Sequence, residues 1–132
     1  TFDGQMELAQ RLVEAEQFDD AQRMFETMLP TAGHVAAIHV GLGKCALETG
    51  RPDTAITHYQ DALKRAENYG PAIFGLAKAY RSKGDKAQAI TYYKRYLVDH
   101  PTGGVADVAR AAIAKLEGQP APAPEKTPLI VQ

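Results

Sequence analysis

Residues 70–103 read GPAIFGLAKAYRSKGDKAQAITYYKRYLVDHPTG, and this stretch decides the fold. Its apolar residues recur at intervals of three and four, which places their side chains on one face of an α-helix. Gly84 divides the stretch into two such segments, and Pro101 follows the second. Because glycine and proline are frequent where helices end, the stretch predicts two helices joined by a short turn.

The same pattern occurs three times at a constant offset of 34 residues. Two leucine columns, an alanine column and an aromatic column stay in register without a gap. The columns are Leu8, Leu42 and Leu76; Ala21, Ala55 and Ala89; Phe25, Tyr59 and Tyr93; and Leu29, Leu63 and Leu97. In each copy the alanine, the aromatic and the second leucine are four residues apart, so they share one face of the second helix. The chain is therefore predicted to consist of repeated helical hairpins.

This pattern resembles the tetratricopeptide repeat. The third copy matches the signature of that family through Leu76-Ala77-x-x-Tyr80, Gly84-Asp85, Ala89-x-x-x-Tyr93 and Pro101; the second matches through Leu42-Gly43, Gly50 and Ala55-x-x-x-Tyr59. The first copy carries Glu16 where the others have the turn glycine. The resemblance implies an all-α fold in which three helix pairs stack into a right-handed superhelix with a concave groove.

The expected domain boundaries follow from the repeats. A tetratricopeptide domain spans 1–117, with repeats at about 2–35, 36–69 and 70–103 and a capping helix at 104–117. The capping helix is predicted to cover the apolar face of the last repeat with Val105, Val108, Ala109, Ala112, Ile113 and Leu116. Residues 118–132 hold four prolines, which predicts an extended tail or linker. We expect this chain to be a domain cut from a longer protein. The alternative for residues 118–132 is that they dock in a groove.

Composition excludes several classes of function. The chain of 132 residues has 15 basic and 16 acidic side chains, and this balance argues against nucleic-acid binding. A single cysteine, Cys45, excludes an internal disulfide. No apolar run reaches the ~20 residues that cross a bilayer, so no direct membrane insertion is predicted. We expect a cytoplasmic location, with a periplasmic or envelope-associated one as the alternative.

The sequence also predicts no enzyme, no cofactor and no metal site. The nearest two histidines, His34 and His39, are five residues apart, which is the wrong spacing for two ligands on one helix face. His39 falls at a packed position of the repeat and is predicted to be a hydrogen-bonded interior histidine. Cys45 lies among alanine, glycine and leucine, so it is predicted to be a small buried hydrophobic residue.

The resemblance implies that the first helix of each pair lines the concave groove. The predicted partner-binding residues are then Met6, Gln10 and Val13 in copy one, Val40, Lys44 and Leu47 in copy two, and Phe74, Lys78 and Arg81 in copy three. Gly41 and Gly75 are expected to let a ligand approach the backbone. The expected partner is an apolar peptide or helix with acidic residues at the copy-three end, where the groove is basic.

Two other interpretations bear on the groove. One is a structural module that self-associates, or stacks within a longer repeat array, with Met6 and Val13 completing the core. The other is a chaperone adaptor, which binds carboxylates through lysine, asparagine and arginine at set inward positions of the repeats. Here those positions hold Met6, Gln10, Gly41, Pro71 and Gly75, so no chaperone adaptor is predicted.

Overall fold

The computed structural model describes residues 1–118, which form seven α-helices and contain no strand. The helices are α1 (Phe2–Glu14), α2 (Phe18–Ala32), α3 (Ala36–Glu48), α4 (Pro52–Arg65), α5 (Gly70–Lys83), α6 (Lys86–Asp99) and α7 (Gly104–Leu116). Consecutive helices pack against one another along the whole series, as the repeats predict. The predicted proline-rich tail lies outside the described residues, except for Gly118.

The helix boundaries repeat with the same period as the sequence. The first helices of the three pairs begin at residues 2, 36 and 70, and the second helices begin at 18, 52 and 86. Helix α7 begins at residue 104, which is again 34 residues after α5. It therefore occupies the place that the first helix of a fourth repeat would take.

Small residues and aromatic rings build the core between the helices. Ala21, Ala55 and Ala89 have no exposed surface, and the aromatic rings four residues later are buried. The Phe25 ring packs beside Gly41, where a Cβ would lie 2.3 Å from it; the Tyr59 ring packs in the same way beside Gly75. Each glycine therefore makes room for the aromatic ring of the preceding repeat. Gly41 and Gly75 also line the groove, so the approach of a ligand to their backbone stays a prediction.

The turn inside each hairpin needs one residue with positive φ. Gly50 and Gly84 take φ values of 79° and 92°, a region that is favourable only for glycine. Glu16 adopts φ 59° at the equivalent place in the first repeat. After the turn, the Asp85 carboxylate accepts a hydrogen bond from the backbone N–H of Gln88 at 3.1 Å and caps α6.

Three features differ from the sequence prediction. Leu8 is 46% exposed, although Leu42 and Leu76 in the same column are buried; within residues 1–118 no helix precedes α1 to cover it. Helix α2 continues through Pro30 to Ala32, although proline is otherwise typical of positions where helices end. Val105 and Val108 are exposed, and alanines on α7 make most of its buried face.

Candidate binding groove

One surface of the repeat stack carries a continuous groove. Helices α1, α3, α5 and α7 contribute its lining, and it comprises three adjacent pockets. The N-terminal pocket, between α1, α3 and the start of α5, has a volume of about 310 Å³. The central pocket has about 340 Å³ and the C-terminal pocket about 610 Å³. The N-terminal and central pockets share Val40 and Lys44, and the central and C-terminal pockets share Phe74 and Lys78.

The structure places all nine predicted partner-binding residues on the wall of this groove. Met6, Gln10, Val13, Val40 and Lys44 line the N-terminal pocket; Leu47, Phe74, Lys78 and Arg81 line the C-terminal pocket. Met6, Val13, Val40, Leu47 and Phe74 are partly buried and pack against the core while keeping an exposed face. These five side chains form an apolar strip along the groove. The apolar strip is continuous with the core and is not sealed inside it.

Aromatic packing fixes the floor of the C-terminal pocket. The Phe74 ring meets Tyr93 edge-on at 5.7 Å and Tyr96 at 5.5 Å between ring centroids, separations at which aromatic rings attract each other. The Lys78 ammonium lies 5.8 Å from the centre of the Phe74 ring, in cation–π range. This packing holds Phe74 in one orientation with a cation above it.

The two ends of the groove differ in charge. Lys78 and Arg81 line the C-terminal pocket together with Glu48, whereas Lys44 and Glu14 line the N-terminal pocket. The Arg81 guanidinium also acts on the Tyr93 hydroxyl, where it opposes the rise in pKa that burial produces. Lys78 and Arg81 thus lie in the largest of the three pockets.

Part of the groove was missed by sequence reasoning. Val105 and Val108 of α7 line the C-terminal pocket, and Tyr96 and His100 of α6 line the central one. Applying the 34-residue offset once more places Val108 in the column of Met6, Val40 and Phe74. That signal was available, but the seventh helix was interpreted only as a cap.

Two residues outside the groove have the environments that the sequence predicted. The imidazole of His39 is buried, and its Nε2 lies 2.7 Å from the carbonyl oxygen of Gly33. Burial of the Cys45 thiol raises its pKa to about 11. A thiol with so high a pKa is a poor nucleophile at neutral pH, which agrees with a packing role. In the described part of the chain, no helix combines the length and apolar character that crossing a membrane requires.

The architecture defines a helical-repeat domain with a groove along one surface. Residues 34–97 match the family model described as tetratricopeptide repeat. Residues 34–97 therefore carry tetratricopeptide repeats, which confirms the resemblance seen in the sequence for that part of the chain. A comparison with curated protein sequences gives no significant match.

Solved structures share this fold at low sequence identity. One is the type III secretion chaperone SycD of Yersinia enterocolitica in complex with a peptide of the translocator YopD, with a TM-score of 0.81, 17% identity, and coverage of 89% of this chain and 92% of that one. A second is PcrH of Pseudomonas aeruginosa in complex with the chaperone binding region of PopD. It has a TM-score of 0.77 and 23% identity, and the match covers 89% of this chain and 90% of that one. A third is the second tetratricopeptide domain of human RPAP3 in complex with an HSP70 peptide. It has a TM-score of 0.76 and 13% identity, and the match covers 86% of this chain and 92% of that one.

Proposed function

We propose that this domain is a non-enzymatic scaffold that binds a peptide or helix of a partner protein in the groove. The observation that carries the proposal is the coincidence of an exposed apolar strip, a pocket of about 610 Å³ and two cationic side chains at one end of the groove. Exposed apolar surface of this kind marks an interaction site more often than a free surface. The peptide complexes of SycD, PcrH and RPAP3, which have the same fold, support the proposal.

The side chains of the C-terminal pocket indicate the chemistry of the partner. Apolar partner residues would bury the exposed faces of Phe74, Leu47 and Val108. Acidic partner residues would pair with Lys78 and Arg81, whose charges are close to that apolar surface. A partner held in this way should bind with micromolar strength, about −8 kcal/mol, and more weakly as salt screens the charges.

The test begins by selecting peptides from a random displayed library on the intact chain. We expect the selected peptides to combine apolar residues with aspartate or glutamate. Val108→Asp should then weaken binding of a selected peptide by at least about tenfold, because the carboxylate would lose water in an apolar pocket. Lys78→Glu should weaken it as well, and more at low salt than at high salt.

A matched control is available on the same molecule. Val98 of α6 is 79% exposed and is not among the groove-lining residues, so Val98→Asp adds the same charge away from the groove. We expect this variant to bind the selected peptide as the wild-type chain does. Equal affinity of the Val98→Asp and Val108→Asp variants, with both folded, would reject the groove as the binding site.

The second candidate function is self-association or stacking within a longer repeat array. The exposure of Phe2 and Leu8, 41% and 46%, favours it, because both side chains leave apolar surface open on α1. Sedimentation of the isolated chain separates the two functions. A dilution-resistant oligomer that Leu8→Glu dissociates would support self-association, and a monomer would support the scaffold.

A further inference from the structure

The side chain of His39 has one ring nitrogen with no hydrogen-bond partner. The residue is 6% exposed on α3, and its Nε2 lies 2.7 Å from the carbonyl oxygen of Gly33. A carbonyl oxygen can only accept, so Nε2 carries the hydrogen and Nδ1 keeps a free lone pair. Nδ1 is buried and unpartnered. A buried polar atom of this kind needs an explanation, because most such atoms in proteins are satisfied.

Two further ligand-type side chains lie beside His39. His58 and Asp61 come from α4 and are three residues apart, which places them on the same face of that helix. One ligand atom from each of His39, His58 and Asp61 lies within 4.8 Å of the other two. The cluster therefore joins the two helices of the second repeat, and none of its members lines the groove.

Asp61 is the anionic member of the cluster. The positive charge of Arg51 also acts on His58, so a bound cation must outweigh that repulsion. The Asp61 carboxylate has Lys64 Nζ at 3.6 Å, a surface pair of the kind that contributes little to stability and that a metal ion could displace.

The Gly33 carbonyl oxygen orients His39 from the other side. It lies 2.7 Å from His39 Nε2 and accepts a second hydrogen bond from Arg65 Nε at 2.9 Å. Histidines that bind metals commonly donate their other N–H to a carbonyl or a carboxylate, which fixes the tautomer and the ring orientation. His39 makes such a hydrogen bond through Nε2, so Nδ1 is the ring nitrogen with a lone pair for a metal.

We propose that His39, His58 and Asp61 bind a divalent transition-metal ion of the Zn²⁺ type. Two imidazoles and one carboxylate suit Zn²⁺ and similar ions, whereas Mg²⁺ and Ca²⁺ prefer oxygen ligands. Three protein ligands leave the fourth tetrahedral position to water. A tetrahedral ion holds its ligand atoms about 3.4 Å apart, so the half-buried side chains of His58 and Asp61 would move inward. The ion would thereby cross-link α3 and α4.

The test uses the full chain without an added histidine tag, freed of metal, and titrated with ZnCl₂ in a calorimeter. We expect one ion per chain, and a rise in Tm with excess Zn²⁺. His58→Gln and Asp61→Asn should each weaken binding by at least about tenfold and remove the Tm shift. Both positions are half-buried, so these variants are less disruptive than replacement of the buried His39.

A control variant and a spectroscopic probe complete the test. His34 is exposed and lies outside the cluster, so His34→Gln should bind Zn²⁺ as the wild-type chain does. Added Co²⁺ should give the intense visible absorption of four-coordinate cobalt in the wild-type chain and in the His34→Gln variant only. Zn²⁺ binding that His58→Gln leaves unchanged, binding of less than one ion per chain, or a Co²⁺ spectrum equal to that of the hydrated ion would overturn the proposal.

Discussion

The first and third repeats share their apolar columns but differ in what surrounds them. Leu76 is fully buried against the second repeat, whereas Leu8, at the equivalent place, is 46% exposed. In a repeat array each unit contacts only its neighbours, and within the described residues the first repeat has a neighbour on one side only. The same residue type at the same register therefore has a different role at the end of the stack and inside it.

The two repeats also differ where they line the groove. The third repeat contributes Phe74 with a cation above its ring, and α7 extends the wall beyond it with Val108. The first repeat contributes the aliphatic Met6 and Val13 together with Phe25 to a pocket of about half the volume, 310 Å³ against 610 Å³. Aromatic rings thus line both ends of the groove, and the ends differ in pocket volume and in the cation above the Phe74 ring.

The largest expected effect comes from shortening the two equivalent leucines. Leu76→Ala should lower the free energy of unfolding by about 3 kcal/mol, because it removes methyl groups from a fully buried site and leaves a cavity. Leu8→Ala should cost less than about 1 kcal/mol, since half of that side chain is already in water. Urea denaturation of both variants measures the difference. Equal losses would mean that Leu8 is covered in solution, and the contrast between the repeats would fail.

The next effect distinguishes the aromatic core residues by their response to alkaline pH. Burial raises the pKa of Tyr59 above its usual value of 10.0, while Phe25 at the equivalent place cannot ionise. Above about pH 10 the unfolded state loses the tyrosine proton and the folded state keeps it, so stability falls as pH rises, by at most about 1.4 kcal/mol per pH unit.

Tyr59→Phe should remove this part of the alkaline loss, because the ring that packs beside Gly75 stays. Denaturation at about pH 7, 10 and 11 compares the two proteins. We expect similar stabilities at pH 7 and a shallower decline for the variant above pH 10. The Cys45 thiol, with its pKa raised to about 11, and the buried Tyr93 contribute to the decline in both proteins. The difference therefore reports Tyr59 together with its interaction with the Cys45 thiolate. Parallel curves would show that Tyr59 does not hold its proton in the folded state.

The sequence predicted most of this fold because the repeats encode it redundantly. Each buried alanine and aromatic ring occurs three times in register, so a single offset identified the helix pairs and placed Met6, Val40 and Phe74 on one wall of the groove. Where the repeat signature is incomplete in one copy, the aligned positions of the other copies supply it. The first copy, which has Glu16 in place of the turn glycine, could be identified in this way.

Features that depend on contacts between distant residues could not be predicted in this way. The packing of Phe25 beside Gly41 and of Tyr59 beside Gly75 is one such feature, because the sequence does not say which aromatic ring lies next to each glycine. The cluster of His39 with His58 spans 19 residues and two helices, so no spacing within one helix could indicate it. The exposure of Leu8 depends on which helices pack against α1 within residues 1–118 rather than on the residue itself.

The smallest effect concerns the turn inside each hairpin, where the first repeat has Glu16 at φ 59° and the third has Gly84 at φ 92°. A residue other than glycine in this left-handed region costs roughly 1–2 kcal/mol. Glycine avoids that cost, but the greater entropy of its unfolded chain offsets part of the gain in stability. Glu16→Gly should therefore stabilise the protein by up to about 1 kcal/mol. The reciprocal change Gly84→Ala should destabilise it by about 1 kcal/mol, with both values measured by urea denaturation. Glu16→Asn should fall between glutamate and glycine, because asparagine tolerates positive φ better than most residues. If Glu16→Gly lowered stability instead, the glutamate side chain would have to stabilise the first turn in a way that outweighs its backbone strain.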